Sequence, residues 1–316
     1  MKERDFTLRE TGTAGSGVTI PTRKSGINDS LYFVPRPTEH VDEMPPAHSL
    51  GNDFTVPEAA IKQLETDGVV CLRNVVDAET VAALRAEADE AVANPGPDAR
   101  FVTTPDDAGI FYYEYNIWRR LSVQRNFVFE SHLADVAAAC MRSKSVTLYY
   151  TNTFVKDGAT DLKTTPWHED GSYSRFVGGK VINVNISYDA MPAETTLKFL
   201  QSSHRRPDQP YAALTFVPGI EFDESAPEQI PMPTRGVLEQ RFRTLYWPVF
   251  PGDALIFFQN TLHAGPGNSL PTRRHSSSYN FGGDGVTYDS RDVFIDSPDV
   301  DPEIAHGQPP AGKVFP

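Results

Sequence analysis

Apolar residues recur at helical intervals through the first part of the chain, and short β-rich runs replace them further on. In residues 57–67, Ala60, Ile61 and Leu64 share one helical face, Thr55 offers an N-cap and Gly68 a stop. Pro57 suits the first turn, where a missing N–H costs nothing. The apolar run 69–72 predicts a short buried strand. Asp77 caps a second helix over 78–93, with Val81, Leu84, Ala88 and Val92 at helical spacing, and Asn94-Pro95-Gly96-Pro97 ends it. A third helix is predicted over 127–142, with Leu133, Val136, Ala137 and Cys140 along one side.

From Val146 the period changes. Residues 146–155, 164–167, 181–188, 197–200, 253–258 and 276–281 read as strands. In 181–188, β-branched and polar residues alternate in part, as in the wall of a barrel with a polar interior. Helices first and strands afterwards predict an α+β fold, with helices packed on one side of a barrel or sandwich. Residues 1–53 are rich in Thr, Pro, Gly and charge and are read as an extended arm, with a lid as the alternative. Residues 54–288 form a single domain, 207–246 an insertion between strands, and 289–316 an extended tail.

Charge narrows the partners. Lys and Arg number 29 against 42 Asp and Glu, a formal net charge of −13. Duplex nucleic acid and anionic membranes both call for a basic surface, so neither is an expected partner. No apolar run approaches the ~20 residues of a membrane helix, and residues 1–16 lack a signal-peptide core. Two cysteines, Cys71 and Cys140, make no disulfide framework, so a cytoplasmic protein with reduced thiols is expected.

The chemistry concentrates in three places. In Trp167-His168-Glu169-Asp170, a strand end would put His168 and Asp170 on one face, able to share a metal ion; an exposed turn is the plain alternative. His263 follows the apolar strand 253–258 and precedes a Gly/Pro loop. Alone it reads as a structural histidine, but two His and one carboxylate are what a facial Fe(II) triad requires. Arg273 and Arg274 open the next strand. An Arg facing a barrel interior is expensive unless it meets a carboxylate, and its fork suits the distal carboxylate of 2-oxoglutarate. A surface Arg pair is the alternative.

In this order the motifs resemble the phytanoyl-CoA dioxygenase (PhyH-like) family, non-haem Fe(II)- and 2-oxoglutarate-dependent oxygenases. The resemblance rests on the opening helix–strand–helix from Leu64, on Trp167-His168-Glu169-Asp170, on Leu197-Lys198-Phe199-Leu200-Gln201-Ser202-Ser203-His204-Arg205, and on Pro251-Gly252-Asp253 with His263 and Arg274. It implies a double-stranded β-helix, a jelly-roll or cupin-like barrel with helices on one side and extended terminal arms. It implies Fe(II), 2-oxoglutarate and O₂, with His168, Asp170 and His263 as catalytic metal ligands. Arg274 falls at the family arginine, with Arg273 in reserve. Asn152, Asn185, Thr165 and Tyr150 fall at positions beside the co-substrate. The turn residues Thr195-Thr196 and Gln201-Ser202 depart from the family pattern, which questions turn geometry and not the metal site. Asp170 argues against halogenation, and His204 is expected to be structural. Tyr173, Ser174, Arg175 and Phe176, with Tyr113 from an aromatic stretch, are the expected substrate side. The expected activity is hydroxylation, or desaturation, cyclisation or epoxidation, of a mid-sized organic molecule in specialised metabolism, with release of succinate and CO₂. A metal hydrolase or a non-catalytic binding protein on the same barrel are the alternatives.

Overall fold

The computed structural model describes residues 44–104, 106–158, 164–205, 211, 232–290 and 304–310. Helix α1 (Glu58–Asp67) buries Ala60, Ile61 and Leu64, and Gly68 closes it at φ 86°, donating its N–H to Leu64 O. Its N-cap is Pro57, not Thr55. The Thr55 hydroxyl instead donates to Asp53 Oδ1 at 2.6 Å, a local bond that competes with capping. Strand β2 (Val69–Arg73) follows, then α2 (Ala78–Ala93), where Asp77 accepts the Thr80 N–H at 2.9 Å. The helix expected over 127–142 is two helices, α3 (Ser122–Glu130) and α4 (Leu133–Met141). Ser131 breaks them apart in an extended conformation, its hydroxyl accepting the Leu133 N–H.

Fourteen strands are named here in chain order: β1 (His48–Ser49), β2, β3 (Ala99–Phe101), β4 (Phe111–Tyr115), β5 (Thr147–Lys156), β6 (Thr165–His168), β7 (Phe176–Val177), β8 (Val181–Ser187), β9 (Lys198–Leu200), β10 (Thr244–Leu245), β11 (Ala254–Phe258), β12 (His263–Gly265), β13 (Arg274–Gly282) and β14 (Thr287–Tyr288). The larger sheet runs β1-β2-β11-β8-β13-β5-β4-β3; the smaller runs β10-β9-β12-β6, and β14 pairs with β7. This is the α+β, double-stranded β-helix class. The helices cover one face of the larger sheet: residues of α1 to α4 pack with Ile182, Val184, Ile186, Ile256 and Tyr279. Period-two alternation therefore turns Asn183 and Asn185 the other way, towards the smaller sheet. With both faces covered, every residue of β8 is buried, which explains its incomplete polar alternation.

The segment expected as an insertion has a structured end. Helix α5 (Arg235–Arg241) and β10 lie within it, and β10 pairs with β9 in the smaller sheet. Its residues 207–210 and 212–231 lie outside the described residues, as do 1–43 of the arm and 291–303 and 311–316 of the tail. The near end of the arm is not merely draped, since β1 pairs in parallel with β2. Cys71 and Cys140 are free and buried, and burial pushes both thiols up to about 12. Among the described residues, no helix is long and apolar enough to cross a membrane.

Charges tie α2 to the outer face of β13. The fully buried His275 ring faces Asp189 Oδ2 at 2.7 Å and Asp89 Oδ1 at 3.1 Å. Arg273 reaches Asp89 at 2.8 Å and Asp157 at 2.7 Å, and Arg85 reaches Asp189 at 2.9 Å. Burial raises the Asp189 carboxyl, but the His275 hydrogen bond and charge outweigh it and hold it below the usual range. Asp89 is likewise lowered, burial being outweighed by Arg273 and His275. A depressed carboxyl contributes stability that is full above its unfolded pKa of ~3.9 and lost as pH falls through the folded value. Asp189→Asn should therefore lower stability at pH 7 by about 1–3 kcal/mol. The gap should narrow in melts taken below pH ~3.9; a pH-independent difference would contradict this account.

Candidate metal centre and its cavity

Strand register builds the site in rows. On the inner face of the larger sheet, Tyr150, Asn280, Asn183 and Phe257 are aligned across β5, β13, β8 and β11. The next inner row is Tyr115, Asn152, Ser278, Asn185 and Leu255. Then come Tyr113, Phe154 and Ser276, and finally Phe111, Lys156 and Arg274. All of these side chains line one cavity, which the smaller sheet closes with Thr165, His168 and His263. In the first two rows β13 and β8 supply the polar residues Asn280, Asn183, Ser278 and Asn185, while β4 and Tyr150 and Phe154 of β5 contribute an aromatic wing.

The side chains that could hold a metal ion, His168, Asp170 and His263, meet beside the first row. His168 and His263 are direct partners across β6 and β12, with ring centroids 4.1 Å apart. His168 Nδ1 donates to Pro166 O at 2.8 Å and His263 Nδ1 to Thr261 O at 3.0 Å, since a carbonyl can only accept. That tautomer leaves each Nε2 lone pair for the Asp170 side, where Oδ1 lies 3.9 Å from His168 Nε2 and 3.6 Å from His263 Nε2. Asp170 does not continue the strand. It opens a 3-10 turn over Asp170–Tyr173, and Asn183 Nδ2 donates to its Oδ2 at 3.0 Å. Glu169 points elsewhere, accepting the Tyr211 N–H at 2.6 Å. Burial, and then the neighbouring His263, push the His168 imidazole down to about 4, so it is neutral at physiological pH. The three ligand atoms lie within 4.8 Å of one another. Two imidazoles and a carboxylate, each with an outer hydrogen bond, fit an octahedral Fe(II) with positions left for other ligands.

The cavity also fits a dicarboxylate. Arg274 is 8% exposed, and among the described residues no carboxylate forms an ion pair with it. Its Nη1 donates to Thr195 O, and burial pushes its pKa down to about 10. Asn152 Oδ1, Asn183 Oδ1, Asn280 Nδ2 and Thr196 Oγ1 are buried without a hydrogen-bond partner among the described residues. Buried polar atoms of this kind are costly unless a ligand or water satisfies them. Asn185 Nδ2 donates to Ser278 Oγ at 3.0 Å, and Thr165 Oγ1 accepts the Gly265 N–H at 2.7 Å. Burial, and then the Asp170 charge, hold the Tyr150 phenol well above its usual range, so it stays protonated.

Of the expected substrate residues, Tyr113 and Tyr173 line the cavity, Tyr173 with its ring 6.4 Å from that of His168. Arg175 and Phe176 do not. Phe176 stacks on Tyr149 at 4.2 Å, and Arg175 Nη1 donates to Asp289 O at 3.2 Å. The turn after Asp170 carries the chain behind the metal centre, where β7 pairs with β14. Ser174 follows it, its hydroxyl bonded to Phe176 O at 3.1 Å. Asn183 and Lys156 were not anticipated. The alternation that exposes Asn185 to the cavity already places Asn183 beside it, whereas nothing local marks Lys156. His204 is structural: its Nε2 lies 3.3 Å from Glu65 O and its ring stacks on Phe258.

The phytanoyl-CoA dioxygenase (PhyH) family model matches residues 64–276. The chain belongs to this family. It is an Fe(II)/2-oxoglutarate-dependent oxygenase-type enzyme, and the match runs from α1 into β13, so it includes the triad and Arg274. Compared with curated proteins, the sequence matches none. Among solved structures the chain is similar to the carbocyclase SnoK of nogalamycin biosynthesis, at 18% identity and TM-score 0.63, covering 83% of this chain and 96% of that one. The epimerase SnoN, in complex with Fe3+, alpha ketoglutarate and nogalamycin RO, aligns at 21% identity and TM-score 0.62, covering 82% and 97%. EctD from S. alaskensis, with 2-oxoglutarate and 5-hydroxyectoine, aligns at 20% identity and TM-score 0.59, covering 87% and 95%. At these identities the likeness is one of fold.

Proposed function

We propose that this PhyH-family enzyme oxidises a C–H bond of a mid-sized, partly apolar small molecule, with 2-oxoglutarate converted to succinate and CO₂. The observation that carries the reading is the meeting of His168, Asp170, His263 and Arg274 in one cavity with an aromatic wing. Bound Fe(II), with 2-oxoglutarate and O₂, supplies the oxidising power for an unactivated C–H bond. The protein's residues supply position. His168, Asp170 and His263 hold the metal, and Asn183 orients the Asp170 carboxylate. Arg274 fixes the distal carboxylate of the co-substrate, and Asn152 and Asn185 with Ser278 offer polar contacts along it. The rings of Tyr113, Tyr115, Phe154 and Tyr173 exclude water and seat an apolar substrate. A role in specialised metabolism is supported by the fold shared with enzymes of nogalamycin biosynthesis. Carbocyclase and epimerase are the activities of those two proteins; for this chain cyclisation is kept beside hydroxylation as part of the proposal.

Adding 2-oxoglutarate to the anaerobic Fe(II)-loaded protein should give the weak visible charge-transfer band of the chelate. Admitting O₂ should then yield succinate, slowly even without substrate, and EDTA should stop it. Ester or amide cleavage with no succinate would replace this reading with a metal hydrolase.

A further inference from the structure

Asn183 and Asn280 are direct cross-strand partners on β8 and β13, in the row beside the metal centre, and both line the cavity. Asn183 is 5% exposed and Asn280 2%. The Asn183 amide has one orientation. The atom that meets Asp170 Oδ2 must be the donor Nδ2, so the acceptor Oδ1 is left over. Among the described residues that Oδ1 has no hydrogen-bond partner, and neither has Asn280 Nδ2. An acceptor and a donor thus stand at facing positions, on Cβ atoms ~4.5–5.5 Å apart, and do not bond each other. Left unfilled, such a buried pair is costly. The full row is Tyr150, Asn280, Asn183 and Phe257, so the pair is a polar gap between two aromatic rings. The co-substrate extends from the metal towards Arg274, along the later rows. The amides of the first row stand outside that track, where the ring of Tyr115 lies 5.7 Å from that of Tyr150.

We infer that the substrate is an uncharged alcohol on an apolar ring, and that its hydroxyl bridges Asn280 and Asn183 beside the metal. The hydroxyl accepts from Asn280 Nδ2 and donates to Asn183 Oδ1. This rests on the function proposed above and names the substrate class for the same site. A hydroxyl is the one small neutral group whose single oxygen serves both amides. A carbonyl or ether oxygen would satisfy Asn280 and leave Asn183 Oδ1 buried without a donor. Asn183 also holds Asp170, so the same amide that orients a metal ligand positions the substrate oxygen. Water can make the same two contacts in the absence of substrate. A ligand that displaces it without a hydroxyl loses both.

The test is calorimetric titration of the anaerobic protein, loaded with Fe(II) and 2-oxoglutarate, with three neutral probes. These are 1-tetralol, which carries a hydroxyl, 1-methoxytetralin, whose oxygen accepts but cannot donate, and tetralin, which has no oxygen. Wild-type protein should bind 1-tetralol about ten- to a hundredfold more tightly than tetralin, the effect of leaving buried polar groups unpaired. The ether should gain little over tetralin. Asn280→Leu, close in volume, should bring 1-tetralol down to the level of tetralin without weakening tetralin or 2-oxoglutarate binding. Equal weakening of all three probes would assign Asn280 a structural role. Weakened 2-oxoglutarate with the probes unaffected would give the amide pair to the co-substrate. Wild-type protein that shows no preference for the alcohol, or binds no probe, would remove the substrate class. Each of these results overturns the inference. If Asn280→Leu does not fold, Asn280→Ala is titrated in its place. Protein that binds no 2-oxoglutarate, read before any probe is added, would overturn the proposed function itself, a distinct outcome.

Discussion

His168→Ala, Asp170→Ala and His263→Ala should each abolish turnover, by at least about a hundredfold, while the protein stays folded. Second-sphere changes at metal sites typically cost 10- to 100-fold in affinity or activity, so loss of a ligand itself should cost more. The fold should survive because these side chains face the cavity between the sheets. None belongs to the apolar cluster beneath the helices. Asp170→Ala even removes a partly buried charge. Ligand linkage gives a second readout. A metal at 100 times its Kd stabilises the native state by about 2.7 kcal/mol. Wild-type protein should therefore melt higher with Fe(II) under anaerobic conditions, and the three variants should not. Asn183→Leu should fall between, with metal affinity down about 10- to 100-fold, because Asp170 loses the donor to Oδ2. Full activity in any ligand variant would remove that residue from the metal centre.

The fold was legible wherever one period dominated. Residues 57–67, 78–93 and 181–188 announced themselves through spacing, and each corresponds to an element within a residue or two. The split between α3 and α4 was not legible, because Ser131 interrupts a pattern whose apolar positions continue on either side. At the site, His168, Asp170, His263 and Arg274 were marked by chemistry that is costly elsewhere in a barrel wall. Arg175 and Phe176 misled for a different reason. Sequence proximity to Asp170 said nothing about the 3-10 turn that carries the chain behind the metal. Asn280 was invisible because its meaning comes from register with Asn183, a hundred-residue-scale pairing that no local motif encodes.

Arg274→Ala should raise the apparent KM for 2-oxoglutarate about 10²- to 10³-fold, with little change in metal affinity. Removing one partner of a buried charge pair costs ~3–5 kcal/mol, and each 1.4 kcal/mol is tenfold. Arg274→Lys should lose less, because it keeps the charge but not the two parallel N–H donors. Arg273 is the internal control. Successive residues of β13 face opposite sides of the sheet, and Arg273, just before the strand, reaches out to Asp89 and Asp157. Arg273→Ala should therefore leave the KM for 2-oxoglutarate near wild type and lower the melting temperature, since α2 loses one of its ties to the sheet. The two variants should separate cleanly, one in binding and the other in stability. A large KM effect from Arg273→Ala alone would mean that the inner and outer faces of β13 are exchanged. The rows through Ser276, Ser278 and Asn280 would then line the helix side, and the cavity would lose its polar floor.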